Sequence, residues 1–111
     1  MNLISSIDLS KEAINSIFKI ADNLNSGKEE LALNDQAIVA LFFEEPSTRT
    51  RVSFEAAVAQ LGGTAVYIDA HTSQTTRGEI ISDTAKVLSL YCDFIAVRMN
   101  DHDKLVTMAE N

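Results

Sequence analysis

The segment PSTRTR, residues 46–51, sets three hydroxyls and two arginines directly behind the chain's only proline. Hydroxyls and guanidiniums packed this closely are donors with one natural target, an oxyanion. Pro46 disfavours helical backbone at Glu45 and so separates the apolar run before it from the helical pattern after it. A helix beginning at about Thr48 leaves the N–H groups of residues 48–50 without intrahelical partners, at the positive end of the helix dipole. With Ser47, Thr48, Thr50, Arg49 and Arg51 around them, these groups make an anion site suited to phosphate. A plainer reading stands beside it. Ser and Thr are ordinary helix caps, and Glu44, Glu45 or Glu55 could neutralise the arginines internally. No GxxxxGK[ST] or GxGxxG loop accompanies the segment.

The surrounding elements must place this segment. AIVALFF, residues 37–43, is a continuous apolar run of strand length, as expected of a strand buried on both faces. TAVYID (64–69) and FIAVR (94–98) are further strand candidates. Ser10 is placed to cap a helix whose stripe is Ile14, Ile17, Phe18, Ala21 and Leu24, ending near Ser26-Gly27. Phe54, Ala57, Val58 and Leu61 keep helical spacing before Gly62-Gly63. Thr76 and Glu79 form a capping-box pair ahead of Ile81, Ala85, Leu88 and Cys92. Asp101 or Asp103 can cap a last helix. The order β-α-β-α-β-α predicts an α/β fold with a parallel sheet and flanking helices. In such folds ligands gather at the carboxyl ends of the strands, so PSTRTR, the loop containing SQTTRGE, and Arg98 should share one rim.

Composition narrows the function classes. The chain has 111 residues, one domain's worth, and is 46% hydrophobic and 23% charged, as a globular protein is. A net charge of -7 and a pI near 4.6 argue against general nucleic-acid or anionic-membrane binding. Any anion must therefore be held by a local device. A single cysteine, the absence of a transmembrane run and an N-terminus unlike a secretory signal point to the cytoplasm. His71, His102 and Cys92 lack ligand spacing, so a metal site is not expected.

FEEPSTRTRVSFE resembles the carbamoyl-phosphate motif of the aspartate/ornithine carbamoyltransferase family. SQTTRGEIISDTAKVLSLYCDFIAVR, residues 73–98, is similar to the family's next block in order and spacing; residues 1–36 match only loosely. The resemblance implies that Ser47, Thr48, Arg49 and Thr50 bind carbamoyl phosphate, with Arg98 reaching the same substrate. It implies a catalytic role for Arg49, while Arg51 is expected to buttress the loop through a carboxylate. It places Gln74, with Ser73 and Arg77 as further candidates, in the site of a neighbouring subunit of a homotrimer. The implied reaction is attack of a neutral amine on the carbamoyl carbon with loss of phosphate, without cofactor or metal. Glu44-Glu45-Pro46, Val52, Gln74, DTAKVLSLY and Asp101-His102 lean towards the ornithine branch; LISSIDLSKE and Thr72-Ser73 look more like the aspartate branch. A non-catalytic anion-binding module is the other class to be weighed. The family's His-Pro-x-x-Gln segment has no counterpart here, since Pro46 is the only proline and His102 the last histidine. Residues 1–111 are thus expected to form an incomplete carbamoyl-phosphate-binding domain, without the amino-acid-binding domain and inactive alone.

Overall fold

A computed structural model describes residues 2–70 and 81–111, and the chain divides into two compact units, Met1–Ala32 and Leu33–Asn111. In the first, a 3-10 turn, Ser6–Asp8, precedes helix α1, Lys11–Ser26. The Ser10 hydroxyl accepts from the Ala13 N–H at 3.0 Å and so caps α1 as expected. Gly27 ends the helix in the left-handed region, at φ 81°, which glycine enters without a Cβ clash. No residue of α1 is buried among the described residues.

The second unit holds strands β1 (Ile38–Phe43), β2 (Thr64–Asp69) and β3 (Phe94–Arg98). Helices α2 (Thr48–Gln60), α3 (Ile81–Tyr91) and α4 (His102–Ala109) alternate with them. All pairing is parallel, in the order β2-β1-β3, with Phe43 level with Asp69 on one side and Arg98 on the other. The α/β reading of the sequence holds. The long apolar run is the central strand, and Ala40, Leu41, Phe42 and Phe43 are all but inaccessible.

Alternation along β1 divides the core. Val39, Leu41 and Phe43 pack with Val58 of α2 on one face, and Ala65, Tyr67 and Ala96 adjoin them. Phe42 faces the other side, with Ala70, Ala85 of α3 and Met108 of α4. The crossover from β1 to β2 therefore covers one face, and the return from β2 to β3 covers the other. At the carboxyl edge the chain leaves β1 for α2 and β3 for α4 on opposite faces. That divergence makes the crevice in which open α/β sheets bind ligands.

Helix α2 departs from expectation. Of Phe54, Ala57, Val58 and Leu61 only Val58 is buried, and Phe54 remains 42% exposed. Val58 packs on the sheet core, while Arg51, two turns earlier, lies over the Tyr67 ring of β2 and pairs with Glu55, both side chains being as exposed as Phe54. The long stems of Arg and Glu can lie on a sheet where an aromatic face receives the cation. Helix α3 agrees better: Ala85 is buried, with Ile81 and Leu88 packed on the same cluster and Cys92 half-buried just past its end.

The two phenylalanines should respond very differently to truncation. Phe42, 1% exposed, fills the core between sheet, α3 and α4, so Phe42→Ala should cost about 3–5 kcal/mol in a denaturant titration. Phe54→Ala, at a site only partly covered, should cost about 1–2 kcal/mol. Equal losses would mean that Phe54 is packed as tightly as Phe42.

Candidate functional site at the carboxyl edge of the sheet

Helix α2 begins at Thr48, as the sequence predicts, with Ser47 extended at φ -147°, ψ 101°. Its start is unlike the other helix starts whose caps are described. Ser10 of α1 and Asp101 of α4 each accept a backbone N–H, Asp101 from Asp103 at 2.9 Å and Lys104 at 3.4 Å. The Ser47 hydroxyl takes none; it donates to the Thr50 hydroxyl at 2.9 Å. The first helical bond runs from the Arg51 N–H to the Ser47 carbonyl, 2.9 Å. The N–H groups of Thr48, Arg49 and Thr50 lie ahead of it and have no protein acceptor among the described residues. The first turn also carries no acidic residue, whereas α1 has Glu12, α3 has Asp83 and α4 has Asp103. Free donors and an uncompensated dipole coincide at one point.

The two arginines of the segment have different fates. Arg51 is neutralised: its Nε donates to Glu55 Oε1 at 3.1 Å, and its guanidinium carbon stands 3.7 Å from the centroid of the Tyr67 ring. A carboxylate buttress for Arg51, expected from the sequence, is present. Arg49 is exposed and pairs with no carboxylate among the described residues. Arg98 closes β3 level with Phe43, and it too is exposed and without an ion pair among the described residues. Among the described residues, internal compensation therefore reaches Arg51 and neither Arg49 nor Arg98.

Two contacts hold the loop after β1 beside the end of β3. The Glu44 N–H donates to the Arg98 carbonyl at 2.7 Å, carrying the ladder one residue past β1. Asn100 Nδ2 donates to Glu45 Oε1 at 2.8 Å. Sequence reasoning found neither Asn100 nor Tyr67. For Tyr67 a signal exists: alternation along β2 places it on the same face as Ala65, although nothing in the sequence tells that α2 covers that face. Gln74, Ser73 and Arg77, the Thr76–Glu79 capping pair and His71 lie outside the described residues.

Known proteins give this arrangement a context. The family model for the carbamoyl-phosphate-binding domain of aspartate/ornithine carbamoyltransferases matches residues 1–111. The chain is 43% identical over 109 residues to an ornithine carbamoyltransferase of Bacillus subtilis, covering 98% of this chain and 34% of that protein. Among solved structures, the anabolic ornithine carbamoyltransferase of Campylobacter jejuni superposes with a TM-score of 0.88 at 38% identity, over 98% of this chain and 35% of the other. The catalytic subunit of M. jannaschii aspartate transcarbamoylase gives 0.82 at 38% identity, over 97% and 38%. The chain spans about a third of the length of the relatives it matches.

Among the described residues no cluster of three His, Cys, Asp or Glu side chains is placed to hold a metal ion. The Cys92 thiol is pushed up from its ordinary pKa by burial and then by the adjacent Asp93 carboxylate. Both causes disfavour the thiolate. Alkylation of Cys92 by iodoacetamide should therefore be slower at pH 8 in the folded chain than in urea. The shift also makes stability fall as pH rises from the unfolded thiol's pKa through the raised folded one, because the folded state holds its proton longer. Equal alkylation rates in the two states would contradict the described environment.

Proposed function

Because this chain belongs to the aspartate/ornithine carbamoyltransferase family, we propose that it is the carbamoyl-phosphate-binding part of an ornithine carbamoyltransferase of the cytoplasm. The observation that carries the reading is the start of α2, where three N–H groups and Arg49, without acceptor or carboxylate among the described residues, meet a dipole lacking acidic compensation at the same sheet edge as Arg98. In this reading Ser47, Thr48, Arg49 and Thr50 hold the phosphate and carbonyl oxygens of carbamoyl phosphate, and Arg98 reaches the same substrate from β3. A neutral amine of ornithine attacks the carbamoyl carbon. A C–N bond forms, the C–O bond to phosphate breaks, phosphate departs with the bonding pair, and the amine loses a proton. Negative charge grows on the carbonyl oxygen and then on the leaving phosphate. Arg49, between them, stabilises both. Alignment of the two reactants supplies much of the remaining acceleration.

Residues 1–111 are in this reading an incomplete domain. The groups that grip ornithine belong to sequence outside them, as the one-third coverage of the relatives suggests. The working enzyme is in this reading a homotrimer in which Gln74 enters the neighbouring subunit's site, with Ser73 and Arg77 as further candidates. The aspartate branch is the second reading, supported by the 38% identity to the M. jannaschii aspartate transcarbamoylase catalytic subunit, the same as to the C. jejuni ornithine enzyme.

The test is product identity. The protein carrying residues 1–111 together with the sequence downstream of them in its gene would be given carbamoyl phosphate and equal ornithine and aspartate. Citrulline is expected, and carbamoyl aspartate would overturn the ornithine reading in favour of the other branch. Neither product, with phosphate still bound, would leave an anion-binding module. Arg49→Ala should lower kcat by about 10²–10³, the usual effect of removing an oxyanion donor. Residues 1–111 alone should show no turnover; carbamoyl transfer by them would contradict the incompleteness.

A further inference from the structure

Arg51 has more contacts than an arginine in a first helical turn needs. Its N–H makes the first bond of α2, to the Ser47 carbonyl. Its side chain is gripped twice, by Glu55 and by the face of Tyr67. Tyr67 in turn meets Phe43 edge-on, with ring centroids 5.7 Å apart and an interplanar angle of 87°. Phe43 is 2% exposed and belongs to the core cluster of Val39, Leu41 and Val58, against which Tyr67 also packs. A continuous chain of contacts thus runs from the centre of the sheet, through two aromatic rings, to the residue whose N–H makes the first bond of the helix.

We propose that Tyr67 is a positioning residue for the first turn of α2. The inference rests on reading that turn as the phosphate-binding element. The ring face fixes Arg51 on the sheet side and so sets the rotation of the turn. Arg49, two residues earlier and roughly 200° round the helix, is thereby directed away from β2 and kept clear of Glu55. The same contact removes one of two cations crowded at the positive helix end, where cations are disfavoured. Only one is left for a ligand. A turn free to fray would hold the binding geometry for part of the time, and apparent affinity falls by that fraction.

The experiment uses inorganic phosphate and the 111-residue chain, with binding measured by calorimetry and amide hydrogen exchange followed residue by residue. Tyr67→Leu keeps apolar bulk and removes the ring face; Tyr67→Phe keeps the face and removes only the hydroxyl. Tyr67→Leu should weaken phosphate binding about fivefold, as expected for loss of a surface cation–π contact, and Tyr67→Phe should stay within about twofold of the parent. In the free protein Tyr67→Leu should speed exchange of the Arg51 N–H while the Val58 N–H is unchanged. General destabilisation would speed both and would count against the proposal. So would unchanged affinity with unchanged Arg51 exchange, or a Tyr67→Phe variant as weak as Tyr67→Leu. If Tyr67→Leu does not fold, Arg51→Lys serves in its place: it keeps the charge and can reach Glu55 but lacks the planar cation, and it should show the same local loss. Arg49→Ala separates the two claims. Parent-like phosphate binding by Arg49→Ala would sink the phosphate reading of the turn, while the exchange of the Arg51 N–H would still decide the role of Tyr67.

Discussion

The structure of the second unit depends on one constraint, the burial of β1 on both faces from Val39 to Phe43. A strand with partners on both edges and core on both faces has no free backbone group along its length and no solvated side. Polar chemistry can begin only where it stops. It stops at Phe43, where the neighbouring chains are β2 and β3, and the connections from β1 and β3 turn to opposite faces. The hydrogen bond from Glu44 to the Arg98 carbonyl extends the ladder to the last position before the chains part. Everything assigned to the site among the described residues lies within a few residues of that point.

The second requirement is electrostatic. A chain of net charge -7 repels anions at long range, so attraction has to come from groups whose counter-charges have been removed locally. Three features do this together: a hydroxyl at the cap that turns to Thr50 rather than to the backbone, a first turn without a carboxylate, and an Arg49 that nothing neutralises among the described residues. Forgoing the cap sacrifices about 1 kcal/mol of helix stability, which suits a helix start retained for binding rather than for folding. The division of labour between the arginines belongs to the same logic. Arg51, 44% exposed at its side chain and paired with a 39% exposed Glu55, contributes little as an ion pair; its value is in where it holds the backbone.

Much of this is legible in the sequence for identifiable reasons. A run such as AIVALFF has few solutions other than a two-sided strand, and proline followed by serine and threonine marks the entry to α2 whatever lies around it. Asp101, one of the two caps offered, is the one α4 uses. The orientation of α2 is not legible, because spacing rules count Phe54 and Ala57 as core and Arg51 and Glu55 as surface. That count misses the aromatic ring beneath the arginine, and the strand that brings Tyr67 there is set by the order β2-β1-β3. Sheet order and cross-strand neighbours are long-range facts. The Glu45–Asn100 contact spans 55 residues, and no local pattern announces it.

The central claim is that the start of α2, and not helix starts in general, is the anion site of this fold. Backbone amide shifts recorded during a titration of the 111-residue chain with carbamoyl phosphate test it most directly, because α1 and α4 serve as capped controls in the same molecule. The account predicts that the amides of Thr48, Arg49 and Thr50 move together with that of Arg98 along one saturation curve, while those of Ala13, Asp103 and Lys104 stay still. Shifts shared by all three helix starts, or none at Thr48–Thr50, would contradict it.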